Sequence, residues 1–486
     1  MPRVPRRAFL ATIGASAIAG VWPRRAFARQ SAIAAYRNVE QRLRDAAGRR
    51  SRAFSSVGLT LRAQDGVLAA ALDVRDISVA RAGAQPLPPD GLLCFAVDVA
   101  ENTYVTGALE LEPGADLRPG LRASVLCDDT LVAAPMVTSA EWGVQEVTDS
   151  APLVYGNAPP TSVPLSTWLL RKGRRYITIA GPHFRDGGRV RSLRLAAVPR
   201  PVTAPLFTFA LITDTHVRAD GREDWMNRKM GEASAPEFAR TLRSLSEEGL
   251  DFVIHGGDMT ENATRDQFAL MAGILNDQSL PVFGCIGNHD RYLPTSRDDA
   301  RELLGRYFPG GRLDYVFQKG PLRFVVLDVE IERPEVQGEK QDWLRNTLAA
   351  DRITPTVFVW HYAPYNRAGV SSCGFRVPDW SQLGKETLLD ILRAAPNVFA
   401  TLNGHDHWDE VNTVGGLTHI QNAAFVEWPN SYRVFRAYDD RLEWEVRQVA
   451  NRGFVRESFL PEKAMSWMIA TRDGDLAGQV PFRRPV

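Results

Sequence analysis

Cysteine is scarce in this chain. Its four cysteines (Cys94, Cys127, Cys285, Cys373) are spread over 486 residues, without the paired spacing of a zinc knuckle or a redox motif. Cys94 and Cys127 could pair in an oxidising compartment, but buried thiols are the simpler expectation. Net charge is almost absent as well: 58 Lys and Arg against 57 Asp and Glu leave +1. The chain therefore carries no nucleic-acid footprint. Long apolar runs are missing too. The one near the start falls short of the roughly 20 residues that span a bilayer. Histidine is rare, with eight in total, yet His405 and His407 stand one residue apart in Thr401-Leu-Asn-Gly-His-Asp-His-Trp-Asp.

What is present describes a globular chain with ample core, 44% hydrophobic and 24% charged. The length implies two or three domains. Residues 1–28 have a basic start, a short apolar stretch and Ala26-Phe27-Ala28, the layout of a cleavable export signal. Arg6-Arg7 followed by Phe9-Leu10 resembles a twin-arginine signal, so the expected location is periplasmic or secreted, with no membrane span after signal removal. Residues 29–203 hold short alternating segments between Asp-Gly and Pro-Gly turns, which predicts a mainly-β, sandwich-like domain and a proline-rich linker. From 204 to 448, buried apolar strands alternate with amphipathic segments such as "PEFARTLRSLSEEG" and "TRDQFALMAGILND", predicting an α/β domain. The final residues, 449–486, form an extension whose role the sequence does not reveal.

In such sheets the working residues lie just past the carboxyl ends of the strands. Those ends read, in order, Asp214-Thr-His216, Gly257-Asp258, Gly287-Asn288-His289-Asp290, His361 and Gly404-His405-Asp406-His407. Five of the eight histidines fall there. This series resembles the calcineurin-like metallophosphoesterases, whose motifs occur in the same order. The resemblance covers about half the chain and implies an α/β/β/α sandwich with two divalent metal ions. Carried over position by position, Asp214, His216 and His407 would hold one metal; Asn288, His361 and His405 would hold the second; Asp258 would bridge them. Nitrogen and oxygen ligands without thiolate suit Mn, Fe, Zn or Co. Two cations against two carboxylates and a bridging hydroxide leave about +1 for a phosphate, and the hydroxide attacks phosphorus in line.

The resemblance also implies that His289, not a metal ligand, protonates the leaving oxygen as the catalytic general acid. Glu261 stands where related phosphatases place an acid that orients this histidine; a solvated loop glutamate is the alternative. Asp290 is expected to hydrogen-bond its loop, Arg291 to meet either a phosphate oxygen or a surface carboxylate, and His255 and His419 to be structural. Purple acid phosphatases place a tyrosine ligand where this chain has Glu261 and lack the histidine found here at 216, so a purple Fe(III) centre is not expected. The substrate class is a small phosphate ester, with phosphodiesters first. The alternatives are a phosphomonoesterase, of acid phosphatase or nucleotidase type, and a cell-envelope glycan- or partner-binding protein with an inactive phosphoesterase scaffold.

Overall fold

The computed structural model describes residues 55–61, 70–73, 92–112, 124–128, 130–133, 162–180, 189–219, 221–225, 227–328, 334–364, 388–459, 471 and 473–482. The export signal, His183, Cys373 and the segment 365–384 lie outside the described residues.

Nine strands precede the linker: β1 (Ser55–Leu61), β2 (Ala70–Asp73), β3 (Leu92–Val99), β4 (Thr103–Glu112), β5 (Ser124–Cys127), β6 (Thr130–Ala133), β7 (Ser162–Leu170), β8 (Gly173–Ala180) and β9 (Arg189–Ala197). They divide into two sheets, one ordered β2-β9-β4-β7 and one ordered β1-β3-β8-β5-β6. Val105, Val125, Trp168 and Ile177 are among their buried side chains. Cys127 is a free, buried thiol, so it makes no bond to Cys94.

After the linker the chain enters the α/β domain. Strand β10 (Phe207–Ile212) is followed by a small hairpin, β11 (Glu223–Asp224) and β12 (Arg228–Lys229), then by β13 (Phe252–His255) and β14 (Val282–Gly284). The remaining strands are β15 (Tyr315–Lys319), β16 (Leu322–Val326), β17 (Thr356–Val359), β18 (Val398–Asn403), β19 (Glu410–Val414), β20 (Leu417–Gln421), β21 (Ser431–Ala437), β22 (Arg441–Gln448) and β23 (Ala477–Pro481). One layer runs β22-β21-β10-β13-β14, the other β15-β16-β17-β18-β20-β19. In the first layer β10, β13 and β14 are parallel; in the second β16, β17, β18 and β20 are.

Side-chain alternation along the strands places the layers. In the second sheet Phe324, Val326, Val357 and Val359 face one core, while Val325, Phe358 and Trp360 face another. The first core lies between the sheets, where Phe209 stacks on Phe252 and Phe435 at 4.9 and 4.7 Å and meets Phe324 edge-on. The second core lies outside, under Leu344 and Leu348 of the helix Pro334–Ala350 and under Leu388, Ile391 and Leu392. Outside the first sheet the helix Gly231–Glu248 buries Phe238, Leu242 and Leu245 at i, i+4 and i+7. It ends at Gly249 with φ 85°, a left-handed cap that donates its N–H back into the last turn. The helix Arg265–Asn276 starts on the side chain of Thr264, which accepts from the Gln267 N–H. The result is an α/β/β/α sandwich preceded by a mainly-β region.

The C-terminal segment is part of this body. β23 pairs with β22 along Arg441–Glu445, and the Asp475 carboxylate accepts from the Val411 N–H at 3.1 Å. The rest of β22 reaches the N-terminal sheet through the pair Arg447 and Thr130, so one eleven-stranded sheet crosses between the two regions. Charged side chains line this seam. Tyr104 donates to Glu443 at 2.8 Å, and Arg200 pairs with the same carboxylate. Glu248 takes Arg447 at 2.5 Å and Arg171 at 2.7 Å.

Candidate metal centre

The site forms where β10, β13, β17 and β18 end and the chain turns away from both sheets. At those turns the backbone is strained. Asp214, His216, Asp258, His405 and His407 have φ of 54°, 44°, 52°, 75° and 62°, five of the eight positive-φ non-glycine residues among those described. Each such residue costs roughly 1–3 kcal/mol and persists only where its surroundings hold it. Two motif glycines permit the close approach. A Cβ at Gly287 would collide with the side chain and amide nitrogen of Asp258, and one at Gly404 with the side chains of Thr213 and Asp214.

Both aspartates are held by one oxygen and present the other. Asp214 Oδ2 accepts from Thr213 Oγ1 at 2.7 Å and from the His405 N–H at 3.1 Å, while Oδ1 is buried without a partner. Asp258 Oδ1 accepts from the His289 N–H at 2.8 Å, and its Oδ2 lies 3.2 Å from His361 Nε2 and 3.7 Å from His216 Nε2. The imidazoles are oriented in the same manner. His361 donates Nδ1–H to the Gly256 carbonyl at 2.9 Å, which leaves Nε2 without a hydrogen bond and turned toward the two aspartates. His407 gives Nδ1 to the Glu427 carboxylate and brings Nε2 to 3.3 Å from Asp214 Oδ1. His405 Nδ1 lies 3.0 Å from Asn288 Oδ1. Such outer partners fix the tautomer of a ligating histidine.

The donor atoms therefore converge. Asp214, His216 and His407 form one group whose atoms lie within 4.8 Å of one another; Asp258, His361 and His405 form a second; His216, Asp258 and His289 connect them. Asp214 Oδ1, His216 Nε2 and His361 Nε2 are buried and unpartnered. Buried polar atoms are rarely left so, and three aimed at one another fit cation ligation. The electrostatics agree. Burial opposes charge on His407, yet Glu427 and Asp214 outweigh it and raise its pKa to about 10. His361 is raised to about 9 by Asp258 and Asp214 against the same penalty. His405 is pushed down to about 3 by burial and by His361. A field that favours protonating two buried imidazoles is one that attracts cations.

His289 stands beside the ligands with its Nδ1 2.8 Å from the Glu261 carbonyl oxygen. The Glu261 carboxylate is buried, 3.5 Å from that nitrogen and 3.0 Å from His216 Nδ1, out of hydrogen-bond alignment with the latter. It is not a solvated loop residue. Asp290 binds the loop, accepting from the N–H groups of Met259, Thr260 and Gly287 at 2.8 to 3.1 Å. Arg291 is buried rather than at the surface, and it donates to the Gly287 carbonyl and the Tyr362 hydroxyl. His255 and His419 bond Thr215 and Thr401 inside the core. Sequence reasoning missed Glu427, fully buried in the run Ala423-Ala-Phe-Val-Glu-Trp-Pro. A lone carboxylate in an apolar run was the available signal.

Residues 207–409 match the family model described as calcineurin-like phosphoesterase. The similarity to the calcineurin-like phosphoesterase family is carried by this segment, which holds the motif series from Asp214 to His407. It is 24% identical over 199 residues to a probable glycerophosphodiester phosphodiesterase of Arcobacter nitrofigilis, covering 40% of this chain and 70% of that one. It is also 24% identical over 206 residues to a 3′,5′-cyclic-nucleotide phosphodiesterase of Nostoc, covering 41% and 71%. Among solved structures, a dimetal phosphatase from Danio rerio aligns at 18% identity over 50% of this chain and 96% of that one, with a TM-score of 0.41.

Proposed function

We propose that this chain is an exported phosphodiesterase working through two divalent cations. The observation that carries the reading is the convergence of three buried, unpartnered ligand atoms on Asp214, His216 and His361. Asp214, His216 and His407 would hold one ion, Asn288, His361 and His405 the other, with Asp258 between them. When bound, the two cations neutralise phosphoryl charge and acidify water for in-line attack. The protein's own residues do the rest. The two aspartates are fixed because one oxygen of each is engaged by hydrogen bonds, and the facing imidazoles, His407 and His361 foremost, outweigh burial and keep both carboxylates anionic. His289, with Nδ1 committed to the Glu261 carbonyl, keeps Nε2 to protonate the leaving oxygen. The names of the two relatives described above support diesters over monoesters, and Arg6-Arg7 with the short apolar stretch supports export.

The test compares bis(4-nitrophenyl) phosphate with 4-nitrophenyl phosphate on protein loaded with Mn²⁺. Faster turnover of the diester is expected. A preference for the monoester would move the assignment to a phosphatase, and no turnover of either would leave a binding protein. Export is tested separately by replacing Arg6 and Arg7 with Lys, which should retain the precursor in the cytoplasm; normal export would reject that part of the proposal.

A further inference from the structure

Large hydrophobic side chains are exposed at a few described positions, and three of them sit on loops that bear the centre. Tyr292 is 52% exposed, Leu293 41% and Trp225 38%. Scattered exposed hydrophobes need no explanation in general. Tyr292 differs because of what it touches. Its ring centroid lies 4.7 Å from that of His289 with the planes inclined at 51°. The ring thus stands against the candidate acid, while half the side chain's surface is open.

Trp225 lies on the segment that follows Asp214 and His216 in the chain. The Lys229 ammonium lies 5.6 Å from its ring and 3.6 Å from the Glu261 carboxylate, which in turn is 3.5 Å from His289 Nδ1. Neither aromatic belongs to the two cores that hold the sheets together. Neither ring is needed to fill those cores. An ester held at the centre with its leaving oxygen toward His289 would bring its substituent against Tyr292.

We infer that Tyr292 forms an aromatic platform on the His289 side of the centre that receives a planar substituent of the phosphoester, an aryl group or a nucleobase. This deepens the phosphodiesterase reading and rests on it. A planar group can stack on a phenol ring, whereas a glycerol chain presents no π-face. A quaternary ammonium head group, the other ligand that aromatic rings favour, is opposed here by Lys229 beside Trp225.

The experiment measures binding of phenylphosphonate and methylphosphonate to the full Mn²⁺-loaded chain by titration calorimetry. The wild type should bind the phenyl compound roughly ten-fold more tightly, the low end of what base–aromatic stacking supplies. Tyr292→Ala should bring the two affinities within about two-fold while metal content and methylphosphonate affinity hold; Tyr292→Phe should keep the preference, since stacking needs the ring and not the hydroxyl. Equal affinities in the wild type, or a Phe variant that behaves like Ala, overturns the platform. Turnover of bis(4-nitrophenyl) phosphate reads the parent proposal separately: a phenyl preference without hydrolysis rejects the phosphodiesterase reading and leaves the platform standing, while hydrolysis without the preference rejects the platform alone.

Discussion

At the scale of single residues, each acid of the centre is divided between two tasks. One oxygen of Asp214 and one of Asp258 are tied to the protein, and the others face the imidazoles. Glu427 does for His407 what the Gly256 carbonyl does for His361. Glu427→Gln keeps the shape and removes the charge, and metal affinity should fall about 10- to 100-fold, the usual effect of an outer partner. Equilibrium dialysis against a metal buffer reads this, and unchanged affinity would mean that Glu427 is only packing. His289→Ala should retain both ions and lose roughly 10²- to 10⁴-fold in rate. The loss should shrink with 4-nitrophenoxide leaving groups, which need no proton, so a rate series over leaving-group pKa separates an acid from a purely electrostatic role. The motif positions were legible because aspartates and histidines at successive strand ends are chemically conspicuous. Glu427 was not, since nothing in its own loop marks it as facing a histidine twenty residues earlier.

At the scale of elements, hydrophobic periodicity revealed the helices and the buried strands, and its failures have physical causes. "LPVFGCIGNHD" reads as one strand, yet only Val282–Gly284 is paired, because the chain must leave the sheet early to carry Asn288 and His289 over the site. The C-terminal segment offers no strong pattern, because an edge strand such as β23 needs only one partner and buries little of its own surface. Two loops of the centre are joined by Asp290, whose carboxylate accepts from three buried backbone N–H groups and the Thr260 hydroxyl. Asp290→Asn turns an amide toward donors that then lack an acceptor. A loss of about 1–3 kcal/mol in urea denaturation is expected, together with weaker retention of metal. A variant as stable as the wild type would show that the loops do not depend on this clasp.

At the scale of the whole molecule, the two regions share one sheet and one apolar cluster that takes in Leu126 and Leu131, and charged pairs line the joint. Burial alone would raise the pKa of Glu248, but Arg447 and Arg171 outweigh it and hold the carboxyl at about 2, against an ordinary value of 4.5. A carboxyl depressed by folding contributes stability in full above its unfolded pKa and loses it as pH falls through the folded one. The contribution of this pair should therefore fade between about pH 4.5 and pH 2, and Glu248→Gln should flatten that part of the stability profile measured by denaturation at several pH values. An unchanged profile would exclude the pair as a source of acid sensitivity. The same seam has a consequence for synthesis. Tyr104 and Glu443 are 339 positions apart, and Thr130 and Arg447 nearly as far. A ribosome delivers the first of each pair more than three hundred residues before the second, so the joint can close only after Arg447 has emerged, and the N-terminal partners must wait for it.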